Sequence, residues 1–351
     1  KRVRLCYKKL SMKRKSSNVR KLKITLLKDK KIINLYNKLK KTLTKNKKIN
    51  SFTVAVSGGS DSMALSGLSI ILATERKYKV FFAHVDHGLR KNSNKEAIKV
   101  KKLFKKNNTK LEILKNKRKI TKNIQKNARD LRYDLLSKFC KKKGTNYLLT
   151  AHHQDDQIET FFIRLSRGSG VEGLSSMDEK TKIKHGISLI RPFLNSDKKD
   201  LIYVAKKFFK QIIKDPSNTN KKFLRVNIRN LKKILEDKGI SPERIAHSIR
   251  NISLTKDAIN FYVIKSMKKL VKFRKAETIL NLTDFKKEPK EVKFRIMNNI
   301  IKKRTNSYYP PRSKKVVNMI NRFEGNKSKK CTLGGCLFEK RKNLLYVSRE
   351  F

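Results

Sequence analysis

Ser57-Gly58-Gly59-Ser60-Asp61-Ser62 directly follows the apolar run Phe52-Thr53-Val54-Ala55-Val56 and precedes a helix-compatible stretch, Met63–Leu68. A β-rich run feeding a Gly/Ser loop and then a helix presents backbone N–H groups at a positive helix end, where phosphate oxygens are stabilised. The chemistry this suits is the holding of a polyphosphate. No Gly-Lys-Ser/Thr follows at P-loop spacing, and the three-glycine spacing of a dinucleotide fingerprint is absent, so a different class of nucleotide site is required. A plain Ser/Gly turn is the bland alternative. Asp61, in the first turn of the following helix, either caps that helix or binds the Mg²⁺ that accompanies a nucleotide, and the neighbouring glycines favour the second role.

A second polar cluster is His152, His153, Asp155, Asp156 and Glu159, with Asp155 and Glu159 on one helical face at i and i+4 while Ile158, Phe161, Phe162 and Leu165 face a core. Zinc chemistry is one reading, but adjacent histidines diverge instead of sharing a face as in His-Glu-x-x-His. The alternative is that the carboxylates bind a cationic substrate and Mg²⁺ while a histidine handles protons. Arg129, Arg132 and Tyr133 fall at i, i+3 and i+4, opposite the apolar face Ala128, Leu131, Leu135 and Phe139. They form either a solvated basic face or a set of guanidinium groups for phosphate and base contacts.

The elements that must position these groups alternate. Apolar, β-branched runs recur at Phe52–Val56, Val80–Val85, Leu111–Leu114 and Tyr147–Thr150, separated by segments with helical spacing such as Ala97, Val100, Leu103 and Phe104. That alternation predicts an α/β fold with a parallel sheet wrapped by helices, whose ligands bind at the carboxyl ends of the strands. The residues just past three of those ends are polar: Ser57–Ser62, His84–Arg90 and Ala151–Asp156. They are expected to converge on one crevice. From about Asn230 the pattern shifts to Lys-rich helices, with Ile245, Ile249 and Ile252 in one and Phe294, Met297, Ile300 and Ile301 in another. A helix over Val316–Phe323 and short β-like runs at Cys331–Phe338 and Leu344–Val347 follow. The expected organisation is a basic, disordered arm at 1–20, a catalytic domain at 21–230, a helical module at 231–306 and a small α+β module at 307–351.

Ninety-one Lys and Arg against 28 Asp and Glu leave a formal charge of +63 in 351 residues. Such an excess points to a polyanionic partner, nucleic acid first, because cationic side chains displace counterions from phosphates. A coding bias toward Lys, Asn and Ile would inflate the charge without adding contacts, so arginines within motifs weigh more than lysine runs. Cys6, Cys140, Cys331 and Cys336 form no Cys-x-x-Cys pair and no ligand series with His, which argues against a disulfide framework or a zinc site. No apolar run reaches the roughly 18 residues that span a bilayer, and the basic start has no signal-peptide core. A soluble, cytoplasmic protein without a membrane role is the expectation.

In its ordered motifs the chain resembles the PP-loop ATP pyrophosphatases and, among them, the tRNA(Ile)-lysidine synthase family. Ser57–Ser62 matches the Ser-Gly-Gly-x-Asp-Ser signature, His84–Arg90 the His-Val-x-His-Gly-Leu-Arg motif, Ala128–Tyr133 the Ala-Arg-x-x-Arg-Tyr motif, and Ala151–Thr160 the His-His/Asp-Asp motif. Arg164–Leu174, Arg191–Leu194, Asp215–Asn218 ahead of Arg225 and Arg229, the Thr332–Cys336 element and Arg349-Glu350 extend the match, while the helical middle matches loosely. The resemblance implies an adenine nucleotide α-hydrolase-like PP-loop ATPase domain followed by a helical module and a small α+β module. It implies an enzyme that adenylates the C2 oxygen of the wobble cytidine of tRNA(Ile) with a CAU anticodon, after which free L-lysine attacks C2 and AMP leaves. On that reading Ser57, Gly58, Gly59, Ser60, Asp61, Ser62 and His84 bind ATP, and Asp61 also holds Mg²⁺. Asp61, His152 and Arg229 are catalytic, and Asp155, Asp156, Glu159, Arg129, Arg132 and Arg191 bind lysine or the substrate base. The rivals are a sulfur-inserting tRNA enzyme, which would need cysteines absent here, amide-forming relatives, and a non-enzymatic RNA-binding protein. The oligomeric state is left open, a homodimer included.

Overall fold

The computed structural model describes residues 25–45, 49–75, 78–88, 92–116, 124–213, 224–306, 311–325 and 329–350. The arm at 1–20, Arg90, the Asp215–Asn218 motif and Tyr309-Pro310 lie outside the described residues. The chain divides into two compact units, Lys1–Arg250 and Asn251–Phe351.

In the first unit, strands β1 (Ser51–Ala55), β2 (Lys79–Asp86), β3 (Leu111–Lys115), β4 (Tyr147–Leu149), β5 (Lys180–Lys182) and β6 (Ser188–Ile190) form one sheet in the order β3-β2-β1-β4-β6-β5. Every neighbouring pair is parallel except β5 with β6 at the edge. β1 and β2 run in register from Ser51↔Lys79 to Ala55↔Ala83, and Thr53 and Val54 lie opposite Leu148 and Leu149 of β4. The central strands therefore end side by side, and their polar continuations share one rim. β5 and β6 are three residues each, too short to register as periodic runs.

Helices cover the sheet. α1 (Lys30–Lys45) begins where the Asp29 carboxylate accepts hydrogen bonds from the Lys31 and Ile32 amides, and it buries Ile32, Leu35, Tyr36, Leu39 and Leu43 at helical spacing. α2 (Ser60–Thr74) is apolar nearly all round and buries Met63 through Leu72 without a break, as a central helix must. It meets α7 (Lys198–Phe209) so closely that a Cβ on Gly67 would stand 2.6 Å from the Phe208 ring, which explains a glycine in mid-helix. The remaining helices of this unit are α3 (Ser93–Lys106), α4 (Ile124–Lys142), α5 (Gln154–Leu165), the single turn α6 (Val171–Leu174) and α8 (Leu224–Asp237). α9 (Pro242–Leu270) carries the chain from the first unit into the second. As expected, α3 buries Ala97, Val100, Leu103 and Phe104.

Two helical faces differ from expectation. On α4 Phe139 is buried as expected and Leu135 packs against the same core, but Ala128 and Leu131 are only partly buried and the face turns to include Tyr133, Leu136 and Cys140, so Tyr133 belongs to the core side of its helix. On α5, Ile158 is buried with Ile245 and Ile249, with Phe161 and Phe162 packed against them, but Leu165 is 49% exposed.

The second unit is an α+β body. Strands β7 (Val271–Phe273), β8 (Glu277–Asn281), β9 (Lys330–Leu333), β10 (Cys336–Arg341) and β11 (Leu344–Arg349) form a sheet in the order β7-β8-β11-β10-β9, antiparallel at every pairing. β9 and β10 are joined by Gly334-Gly335, with φ of +63° and +77°, the positive-φ pair a two-residue hairpin needs. Helices α10 (Leu282–Lys287), α11 (Lys290–Thr305) and α12 (Ser313–Glu324) complete the body, whose core includes Ile296, Ile300, Phe323, Phe338, Leu345 and Val347. Because β8 pairs with β11, residues 271–281 and the C-terminal hairpin are one body. The observed division at 250/251 thus differs from the boundaries expected after 230 and 306. Among the described residues, no helix is long and apolar enough to cross a membrane.

Candidate functional site

The ends of β1, β2 and β4 enclose one cavity of about 350 Å³, walled by Val56, Ser57, Asp61 and Ser62 from the first, His84, Asp86 and His87 from the second, and Thr150, His152 and Asp156 from the third, with Arg132 and Tyr133 of α4 and Glu96 of α3. The three strand ends converge as the sequence pattern requires.

The loop leaving β1 turns through Gly58 at φ +93°, where a Cβ would also meet the Val100 side chain at 2.9 Å. Both conditions demand glycine. Ser62 Oγ knits the loop: it accepts from the amides of Ser57 (3.1 Å) and Gly58 (3.2 Å), lies 3.0 Å from Ser57 Oγ, and donates to the Gly59 carbonyl at 3.0 Å. Gly59, the N-cap of α2, offers no side chain to cap the first turn, and Asp61 and Ser62 of that turn wall the cavity. Ser60 Oγ donates to Asp61 Oδ1 at 2.9 Å and steadies that carboxylate.

His153 joins the loop to the β4 end. It is the N-cap of α5, where its Nδ1 accepts from the Asp155 amide (3.2 Å) while Asp156 Oδ2 accepts from the His153 amide (3.1 Å). Because Nδ1 accepts, the proton sits on Nε2, which stands 3.6 Å from Asp61 Oδ2 and 3.5 Å from Asp156 Oδ2. Burial opposes charge on His153, but Asp61 and Asp156 outweigh it and hold the imidazole above its ordinary pKa. Conversely, burial pushes the Asp61 carboxyl up, and His153, with Ser60 and Lys198, more than reverses this. His152 is the opposite case: burial first, then Arg191, Arg132 and Arg129, push it well below the ordinary histidine value, and its Nδ1 lies 2.9 Å from Thr150 Oγ1. His84 donates from Nδ1 to the Val56 carbonyl (2.9 Å), tying β2 to the end of β1, and burial lowers its pKa as well.

Several expected site residues stand elsewhere. Arg229 Nε donates to Glu159 Oε1 at 2.5 Å, with Arg225 Nε 4.0 Å from Glu159 Oε2, and Lys232 Nζ donates to Asp155 Oδ1 at 2.6 Å. These pairs lock α8 onto α5 and do not wall the cavity. Arg191 is buried and donates from Nη1 to the Asp178 carbonyl (2.7 Å) and Thr181 Oγ1 (3.0 Å), bracing the sheet edge. Arg129 lies over the Tyr133 ring, 5.2 Å from its centroid. The residues brought together in the cavity are thus Ser57, Asp61, Ser62, His84, Arg132, His152 and Asp156, while Gly58, Gly59 and Ser60, also expected to bind ATP, shape the loop and are not part of the cavity wall. Sequence reasoning placed His153 in the polar cluster, Tyr133 beside Arg129 and Arg132, and His87 in the His84–Arg90 motif, but gave none of the three an individual role. The signal for His153 was present, since an N-cap followed three residues later by an acid is a capping-box pattern.

The PP-loop domain family matches residues 31–235, more than half of the chain. A tRNA(Ile)-lysidine synthase of Wolbachia pipientis wMel is 36% identical over 306 residues, spanning 86% of this chain and 71% of that protein. That of Rickettsia typhi is 32% identical over 308 residues, 86% of this chain and 70% of that protein. The chain belongs to the tRNA(Ile)-lysidine synthase family. A U34-tRNA thiolase of Methanococcus maripaludis, solved with its 4Fe-4S cluster, superposes with a TM-score of 0.53 at 18% identity over 63% of this chain and 79% of that one, a likeness of fold. The PP-loop domain match supports ATP binding by this chain, and Ser57–Ser62 lie within the matched residues.

Proposed function

We infer that the chain is an ATP-dependent ligase that forms lysidine at the wobble cytidine of tRNA(Ile) with a CAU anticodon. The observation that carries this is the cavity itself: a glycine-turned loop and an uncapped helix end for the β- and γ-phosphates, with Asp61 and Asp156 held at its edge by one buried histidine. The C2 oxygen of the extruded cytidine attacks the α-phosphorus and pyrophosphate leaves. The unprotonated ε-amine of free L-lysine then attacks C2, gives up a proton, and expels AMP with the former C2 oxygen. Asp61 and Asp156 would supply hard oxygen donors to Mg²⁺ brought in with the nucleotide, and the ion would neutralise phosphate charge there. His152, kept neutral, is suited to hydrogen bonding with the base rather than to carrying charge. Among the carboxylates expected to receive the lysine ammonium, Asp156 faces the cavity, while Asp155 and Glu159 already have cationic partners. The Lys- and Arg-rich surface suits a tRNA body bound largely through phosphates, which makes binding fall with salt.

A sulfur-inserting reading requires a reactive thiol. Cys140 is buried and its pKa is pushed up to about 11, the reverse of what a nucleophile needs. The deciding experiment incubates the protein with ATP, radiolabelled lysine and either the CAU-anticodon isoleucine transcript or an elongator methionine transcript. Lysine incorporation into the first alone is expected, and AMP release without incorporation into either would refute the ligase.

A further inference from the structure

Several buried side-chain polar atoms have no hydrogen-bond partner among the described residues, including Thr53 Oγ1, Ser69 Oγ, Ser137 Oγ and Thr160 Oγ1, which lie off the cavity. Tyr133 Oη and His87 Nδ1 are the two that belong to residues walling it. A buried hydroxyl or ring nitrogen left without a partner costs free energy, and groups of this kind at a cavity wall are satisfied by what enters.

The surroundings define that ligand. The Tyr133 ring lies under two guanidinium groups, Arg129 at 5.2 Å and Arg132 at 5.3 Å from its centroid, and Arg132 stands beside the phenol without forming a well-directed hydrogen bond to it. Burial raises the phenol pKa, but Arg132, Arg129 and Arg191 outweigh it and hold it below the usual tyrosine value, which strengthens its O–H as a donor. Burial, and then Arg132, push His87 down, so its ring is neutral. A donor hydroxyl and a neutral imidazole beside a cavity-facing arginine fit an anionic, oxygen-rich group. Tyr133 is packed among Ala83 and Val85 of β2 and Leu148 of β4, the strands on either side of β1. The loop that ends β1 takes the β- and γ-phosphates on the reading above, on which this inference rests. The α-phosphate, next in the chain of phosphates, would then enter the cavity whose wall includes Tyr133, Arg132 and His87.

We propose that Arg132, Tyr133 and His87 form an oxyanion subsite for the α-phosphate of the nucleotide, with Tyr133 Oη donating to a non-bridging oxygen. When the C2 oxygen bonds to the α-phosphorus, and the bond to the pyrophosphate oxygen breaks with its electron pair leaving on pyrophosphate, the subsite stabilises the charge on the equatorial oxygens. Tyr133 keeps its proton throughout.

Tyr133→Phe deletes one oxygen atom. Loss of a donor to a charged group is expected to weaken AMP binding about 10-fold while leaving adenosine binding unchanged, and to slow tRNA-dependent ATP/pyrophosphate exchange by about 10- to 100-fold at saturating ATP. His87→Ala should show the same AMP-specific loss. Tyr133→Phe should melt no lower than the wild type, because the hydroxyl it removes has no hydrogen-bond partner in the nucleotide-free protein. A merely structural tyrosine would show a lower Tm together with equal losses for AMP and adenosine, and that result overturns the subsite. So does a Tyr133→Phe protein with wild-type AMP affinity and exchange but a raised KM for lysine, which would place the amino-acid carboxylate there instead. If the wild type binds AMP through Tyr133 yet shows no tRNA-dependent exchange, the ligase reading falls and the phosphate subsite stands.

Discussion

The two sides of helix α5 carry the same chemistry to different ends. Toward the cavity, Asp156 and the loop residue Asp61 share one imidazole, His153, and keep oxygen atoms directed at the space where ligands enter. Toward α8, Asp155 and Glu159 are matched by Lys232 and Arg229 at 2.6 and 2.5 Å. Four carboxylates within one short region therefore divide into a pair available for chemistry and a pair spent on holding a helix in place. Composition cannot separate them. The decisive difference is the partner each one finds in the fold, since an ion pair already formed inside the protein has little left for a substrate ammonium.

The cavity side should be the more sensitive to activity. Asp61→Ala is expected to lower tRNA-dependent ATP/pyrophosphate exchange by at least about 100-fold, because it removes the carboxylate nearest the phosphate loop and the partner of His153. Retention of wild-type exchange would break the comparison at its first side. Asp156→Asn is milder. Its amide oxygen can still accept from the His153 amide and preserve the capping box, so the fold should hold while exchange falls by about 10-fold through loss of charge. A melting temperature that drops together with the activity would make Asp156 a capping residue and nothing more.

The α8 side should register mainly as stability. Glu159 is 3% exposed, and Glu159→Gln leaves Arg229 and Arg225 facing an uncharged amide. Removing one partner of a buried pair is costly, but the Arg229 side chain is 35% exposed and can regain water, so the expected loss is about 1–2 kcal/mol, read as a lower urea midpoint at an unchanged m-value. An unaltered midpoint with lysine incorporation abolished would instead make Glu159 a substrate ligand and erase the distinction between the two sides.

How far the sequence reached follows the same line. The strand ends and their polar continuations were legible because apolar runs of strand length stop abruptly at Gly, Ser, His and Asp, and the parallel order then forces those stops onto one rim. The α4 face was misjudged because Arg129, Arg132 and Tyr133 share a helical stripe. Nothing in spacing says that the arginines lie on a ring turned inward. The pairing of Asp155 with Lys232 joins residues far apart in the chain and is set by how α8 docks, so one Lys among the many of this sequence carried no mark of it. The unit boundary was hidden for a related reason. Val271–Phe273 and Glu277–Asn281 are short strands in a Lys-rich stretch, and only their pairing with the C-terminal hairpin reveals that both belong to one sheet.

The smallest effect tests the division most sharply. Lys232 stands between Asp155 at 2.6 Å and Glu236 at 3.4 Å, with its side chain 18% exposed. Lys232→Met keeps most of the aliphatic stem and removes the ammonium, and since the Asp155 carboxylate is 28% exposed and can take up water, a stability loss of no more than about 1 kcal/mol is expected. The informative readout is the KM for lysine. If Asp155 is purely a clamp, that KM should stay within about twofold of the wild type, because the vacated carboxylate lies outside the cavity wall. If Asp155 can serve the substrate, removing its internal ammonium frees a site for the external one, and the KM should fall while ATP/pyrophosphate exchange is untouched. A fall of that kind would mean that Lys232 competes with the substrate for Asp155, and that the boundary between the two sides of α5 is drawn by one lysine side chain.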